Sequence, residues 1–222
     1  MRQLILDIRP DAPPSFANFL AGANAEVLEA LRARTATEMP FAGEHVVYLW
    51  GEEGVGKTHL LRAWAAAAGA AYHAAAPLPE PTTEPPLLAV DEVERLPEEA
   101  QIRLFSLINA AREQGGRLLV AGLLPPAQLA IRADLATRLA QGLVFRLHAL
   151  ADRDKAQALT VRAEARGMQL PEEVIHYLLT HCRRDLPGLL ATVDALDAYS
   201  LSRKRQPTVP LLKEMLQATA GD

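Results

Sequence analysis

Cysteine is almost missing from the 222 residues: Cys182 stands alone. A disulfide framework and a multi-cysteine zinc site are therefore excluded, and the usage fits a reducing cytoplasmic compartment. Excess charge of one sign is missing too. Lys and Arg number 23 against 27 Asp and Glu, a net charge of −4, which argues against a protein that coats nucleic acid by charge alone. No apolar run approaches the roughly 18 residues of a membrane-spanning helix, and that of the opening MRQLILDIRPD is too short for a signal peptide. The six histidines show no metal-ligand spacing, and no G-x-S-x-G nucleophile elbow occurs. What the chain does have is apolar bulk, half its residues with only 5% aromatic. That suffices for one sizeable domain or two small ones, and it excludes a disordered chain.

Two proline-rich stretches punctuate the sequence, Pro10 to Pro14 and Pro77 to Pro86 (PLPEPTTEPP). The second reads as a surface loop, because proline at that density fits neither helix nor central strand. His45 to Trp50 (HVVYLW) is an apolar run rich in β-branched and aromatic residues, and similar runs recur at Leu87 to Val90, Leu118 to Val120 and Leu143 to Leu147. Helical patterns separate them. Thr58 to Gly69 follows a glycine loop, and Pro97 to Gln114 opens with Pro-Glu-Glu and ends at a glycine pair. Apolar strands alternating with helices predict an α/β fold with a parallel sheet covered on both faces. Beyond residue 150 the strand signals stop, and helices are expected at Asp152 to Arg166, from Pro171 (with Cys182 inside a helix), at Leu186 to Ser200 and from Pro210.

Gly51-Glu52-Glu53-Gly54-Val55-Gly56-Lys57-Thr58 satisfies G-x-x-x-x-G-K-[ST]. Glycines let backbone N–H groups turn inward around phosphate oxygens while the following helix aims its positive end at them. Lys57 then reaches the terminal phosphates, and the Thr58 hydroxyl can ligate Mg²⁺. The run Leu87 to Val90 leads into Asp91 and Glu92. At the carboxyl end of a parallel strand, Asp91 faces the same crevice and can hold Mg²⁺, and Glu92 can orient or deprotonate an attacking water. The expected nucleotide contacts are Gly51, Gly54, Val55, Gly56, Lys57, Thr58 and His59, with ADP or ATP and Mg²⁺ as ligands.

With these two elements and the helical remainder, the chain resembles the DnaA-like AAA+ ATPases, and within them the Hda-like members that regulate DnaA. The resemblance runs through Ser15 to Leu31 (SFANFLAGANAEVLEAL), similar to an "F-x-x-F-x-x-G-x-N" segment. It continues through Leu123 to Leu129 (LLPPAQL), similar to "R-P-P-x-x-L", and Asp134 to Leu143 (DLATRLAQGL), similar to the box that holds the arginine finger. It implies an AAA+ three-layer domain over residues 15–150, a small all-helical lid over 151–222, and an extended head and linker over 1–14. It further implies Arg138 as a finger acting in trans and Arg184, in Arg-Asp-Leu-Pro-Gly, as the sensor 2 arginine. Gln3-Leu4-Ile5-Leu6-Asp7-Ile8 resembles the Q-L-x-L-x-[LI] peptide that docks on the DNA polymerase III sliding clamp (its β subunit), with Gln3, Leu4 and Leu6 as contacts.

Two features favour the Hda-like reading over an initiator. The chain stops at Asp222 without a basic helix-turn-helix module, residues from 151 onward carrying ten Lys/Arg and ten Asp/Glu, and its head carries the clamp-type peptide Gln3 to Ile8. The implied partners are then DnaA and the clamp, with DNA reached only through the clamp, no membrane, and a homo-oligomer possible. One departure stands out: Ala121-Gly122-Leu123 lies where AAA+ proteins usually carry a polar sensor 1 residue. Alanine and leucine cannot position water, so weak ATPase activity at most is expected of the chain itself. The function implied is suppression of re-initiation by driving DnaA to its ADP form. The alternative is a self-sufficient ATPase of the DnaC-like helicase-loader kind.

Overall fold

In the computed structural model, residues 13–35, 44–182 and 185–220 are described. Gln3, Leu4, Leu6 and Arg184 lie outside them. The chain divides into two compact units, one running from residue 10 to 149 and the other containing residues 150–222.

The first unit is built on five parallel strands: β1 (Val46–Trp50), β2 (Ala71–Ala74), β3 (Leu87–Asp91), β4 (Arg117–Gly122) and β5 (Leu143–Arg146), in the order β2-β3-β4-β1-β5. Four of these are the apolar runs of the sequence. The fifth, β2, is an addition: AYHA is four residues long, half alanine and at the sheet edge, so it carries little strand signal. Successive side chains of a strand face opposite sides of the sheet. Val46 and Tyr48 of β1, Leu88 and Val90 of β3, and Leu118 and Val120 of β4 pack on one side. There they meet α3 (Glu98–Gln114) and α4 (Ala133–Ala140) through Leu104, Leu107, Ile108, Leu135 and Leu139. Val47, Leu49, Ala89, Leu119 and Ala121 face the other side, against α1 (Ala25–Arg32) and α2 (Lys57–Ala68), where Leu31, Leu60, Leu61 and Trp64 lie. Each fully buried Leu or Val contributes about 1.5–3 kcal/mol relative to an exposed one, which makes burial on both faces the force holding the three layers together.

Parallel connectivity fixes the direction of every helix. β1 leads through the glycine loop into α2, so the start of α2 lies at the carboxyl end of the sheet. The helix α4 runs from the carboxyl end of β4 back to the amino end of β5. The proline stretch 77–86 is loop, as expected, although Leu78 within it is buried against the α3 side.

The second unit is helical: α5 (Asp152–Glu164), α6 (Glu172–His181), α7 (Leu186–Arg203) and α8 (Val209–Ala220). Its core gathers Leu159, Val174, Leu178, Leu189, Val193, Leu196, Leu211 and Leu212. Arg162 of α5 and Arg166, just past its end, both pair with Asp194 of α7, at 2.6 and 2.7 Å. Cys182 corrects a sequence expectation: it is not inside a helix but follows α6 as its terminating residue, half-buried with extended backbone.

Candidate functional site: the loop between β1 and α2

Gly51 to Thr58 connects the buried end of β1 to the first turn of α2. Gly56 precedes the helix at φ 102°, a left-handed conformation that an L-side chain resists. A Cβ there would also stand 2.7 Å from Phe19, and one at Gly51 would stand 2.6 Å from the Leu147 carbonyl. The loop is thus a cradle with no room for side chains at two of its corners. Lys57 turns back into it, donating to the carbonyls of Gly51 at 2.6 Å and Glu52 at 2.8 Å. Burial lowers the Lys57 pKa, opposed by the carboxylates of Asp91, Glu94, Glu53 and Glu92. A desolvated ammonium with displaceable carbonyl partners can exchange them for phosphate oxygens.

Asp91 closes the other side. It ends β3, is 2% exposed, and accepts the Thr58 hydroxyl at 2.6 Å, the Tyr72 hydroxyl at 3.1 Å and the Glu92 amide at 3.0 Å. Thr58 and Asp91 therefore present two hard oxygen donors at one point, the set that suits Mg²⁺ when phosphates and water complete its shell. Among the described residues, no three His, Cys, Asp or Glu side chains converge to hold a metal by themselves. Glu92 sits in the left-handed region, at φ 51°, with its carboxylate paired to Arg95 at 2.8 Å. Deprotonating a water would require that pair to open.

His59 of α2 contacts a strap, residues 15–24, that crosses the loop. Its Nε2 lies 3.0 Å from the Ser15 carbonyl and its ring 5.5 Å from that of Phe19. The strap is anchored by Asn24, 2% exposed, whose amide accepts from the His148 N–H at 2.8 Å and donates to the His148 carbonyl at 2.9 Å. Val55 packs, half-buried, on the α2 side of the sheet.

At the end of β4 the residues that depart from a polar sensor 1 are packed shut. Ala121 is fully buried on the α2 side. A Cβ at Gly122 would collide with the Tyr48 hydroxyl and stand 2.9 Å from Glu94 Oε2, and the Leu123 N–H donates to that same oxygen at 3.3 Å. Burial first, and Glu94 second, push the Tyr48 phenol above its usual pKa. Tyr72, Glu94 and Asn24 line or brace the site, and sequence patterns assign them no role of their own. Tyr72 lies on the edge strand with the weak signal, Glu94 is two positions past the motif, and Asn24 is visible only as the last residue of a matched segment.

Arg138 is elsewhere. It lies in the last turn of α4, the turn that approaches the amino end of β5, and its guanidinium stands 5.6 Å from the Phe105 ring centre. Strand direction puts that turn at the end of the sheet opposite the glycine loop. The residue before α7, Asp185, caps that helix by accepting the Gly188 amide at 2.9 Å. No helix among the described residues is long and apolar enough to cross a membrane.

Comparison with known proteins is consistent with this layout. A family described as the lid domain of Hda matches residues 152–216, and one described as the bacterial DnaA ATPase domain matches residues 11–77. Domain III of the Thermotoga maritima replication initiation protein DnaA is similar in structure, with a TM-score of 0.73 at 18% identity over 94% of this chain and 97% of that one. AMPPCP-bound DnaA from Aquifex aeolicus gives 0.70 at 20% identity, over 87% and 69%. The Thermotoga maritima RuvB branch migration motor gives 0.69 at 15% identity, over 93% and 72%. The fold is that of an AAA+ domain with a helical lid.

Proposed function

We propose that this chain, a DnaA-like AAA+ protein with an Hda lid domain, binds an adenine nucleotide and regulates the start of DNA replication by stimulating ATP hydrolysis on DnaA. The observation that carries the reading is the separation of two parts. The phosphate loop, Lys57 and the Thr58–Asp91 pair lie at one end of the sheet, and Arg138 lies in the α4 turn at the other. A guanidinium on that turn cannot serve the nucleotide of its own loop. It suits a nucleotide held by a neighbour, where an arginine supplied in trans can accelerate hydrolysis by roughly 10³ to 10⁵.

In this reading Gly51, Gly54 and Gly56 give backbone N–H groups to the phosphates, Lys57 adds its ammonium, and Thr58 and Asp91 hold Mg²⁺, which supplies charge neutralisation between phosphate oxygens. His59 and Asn24 keep the strap in place, and Arg184 reaches the nucleotide from the lid. Binding of AMPPCP by the Aquifex DnaA, whose fold this chain shares, supports the nucleotide assignment. The protein's own turnover is weak, because Ala121, the sterically closed Gly122 and Leu123 leave no polar side chain at the carboxyl end of β4 to orient water. Glu92 and Asp91 remain for what turnover there is. The head residues Gln3, Leu4 and Leu6 dock on the sliding clamp, an extended peptide setting alternate side chains into pockets, and DNA is reached through the clamp in the cytoplasm. The domains act as head (1–14), nucleotide-binding body (15–150) and lid (151–222).

The experiment is hydrolysis of DnaA-bound ATP with and without clamp loaded on DNA. Wild type should accelerate it, Arg138→Ala should lose the acceleration while still binding nucleotide, and a Gln3→Ala, Leu4→Ala double variant should lose the dependence on clamp. Substantial ATP turnover by the purified protein alone would favour instead a helicase loader of the DnaC kind.

A further inference from the structure

Arg112, in the last turn of α3, and Arg138, in the last turn of α4, both donate to one oxygen. Arg112 Nη1 lies 3.1 Å and Arg138 Nη1 3.3 Å from Gln141 Oε1. Three other arginines on or just before these two helices are paired: Arg95 with Glu92, Arg103 with Glu80, Arg132 with Asp134 and Glu98. Among the described residues, Arg112 and Arg138 have no carboxylate within ion-pair distance. A helix carboxyl end favours a cation, which accounts for each arginine where it stands. It does not account for their meeting. Two guanidinium groups brought onto one neutral amide oxygen repel each other, and each gives up side-chain freedom to be there. The arrangement has uncompensated positive charge and two donor forks aimed at a common point. That is the geometry that planar guanidinium groups use to grip a phosphate.

We propose that Arg112 and Arg138 together form a two-pronged receptor for the terminal phosphate of a nucleotide held by a neighbouring protein, with Gln141 as the acceptor that keeps them converged until that phosphate arrives. This rests on the reading of Arg138 given above and adds a second phosphate-binding group to it. A triphosphate and a diphosphate differ most in charge at this point, so Arg112 also sets the preference for the triphosphate form of the partner.

The test uses the full chain with clamp on DNA and DnaA loaded with ATP or ADP, comparing wild type, Arg112→Ala, Arg112→Lys and Arg138→Ala. Removal of one charge-assisted hydrogen bond should lower stimulated hydrolysis by about 10- to 100-fold in Arg112→Ala. The same variant should no longer bind the ATP form more tightly than the ADP form, while its own nucleotide uptake stays unchanged. Arg112→Lys, a point charge without a fork, should recover only part of the rate. If Arg138→Ala abolishes stimulation and Arg112→Ala leaves rate and preference intact, the second prong is wrong and the finger stands. A drop in affinity equal for both nucleotide forms would likewise make Arg112 an ordinary interface charge. If Arg138→Ala itself changes nothing, the proposed function falls and this receptor with it.

Discussion

The Thr58 hydroxyl donates to Asp91 Oδ2 across 2.6 Å, tying the first turn of α2 to the last residue of β3. The two residues are 33 positions apart in sequence, and the bond joins the glycine loop to the carboxylate at the end of β3. Asp91 is 2% exposed, and the Tyr72 hydroxyl and the Glu92 amide share the work of holding it in place. The site is therefore organised before any ligand enters.

Lys57→Ala should weaken binding of ADP and ATP by about 10- to 100-fold, the effect of removing one charge-assisted hydrogen bond to phosphate, with circular dichroism unchanged. Asp91→Asn should bind nucleotide without Mg²⁺ much as wild type does, but gain little from added Mg²⁺. Titration calorimetry with and without the metal reads both effects. An equal gain from Mg²⁺ in wild type and Asp91→Asn would remove Asp91 from the metal assignment.

Asn24→Ala tests the strap. The buried Asn24 amide bonds both polar groups of the His148 backbone, whose own residue is exposed. Removing it takes away two part-buried hydrogen bonds, at about 0.5–1.5 kcal/mol each, while water can reach the His148 backbone. Urea denaturation should show a loss of about 1–3 kcal/mol, and nucleotide affinity should fall as well, because Phe19 is no longer anchored over Gly56. A loss below about 0.5 kcal/mol, with nucleotide affinity unchanged, would mean that Asn24 does not anchor the strap.

Cys182 should behave as a packed thiol, since burial raises its pKa above the usual value. The thiolate is the reactive form, so at pH 7 to 8 alkylation by iodoacetamide should be slower than that of an unfolded control. The rate should climb only at pH above the ordinary range of about 8.5. A rate at pH 7 equal to the control's would show the thiol to be open to solvent. Cys182→Ala should be tolerated with at most a small loss of stability.

Much of the site is legible in the sequence because its chemistry is local. Eight consecutive residues, Gly51 to Thr58, carry their own backbone requirements, and the apolar run before Asp91 announces a buried parallel strand whatever surrounds it. The helices ending at Gly69 and Gly115 are legible for the same reason, as their stop signals lie within the segment. What folding alone decides has no local signature. Strand order brings Asp91 beside Thr58 and Tyr72, and the closeness of Glu94 to Gly122 depends on how the turn after β3 leans on β4. Parallel connectivity sends α4 away from the glycine loop, so that Arg138 meets Gln141 and Arg112 at the far end. Backbone conformation is set by neighbours along the chain, whereas the convergence of side chains from distant segments is set by packing, and only the second tells which arginine faces which phosphate.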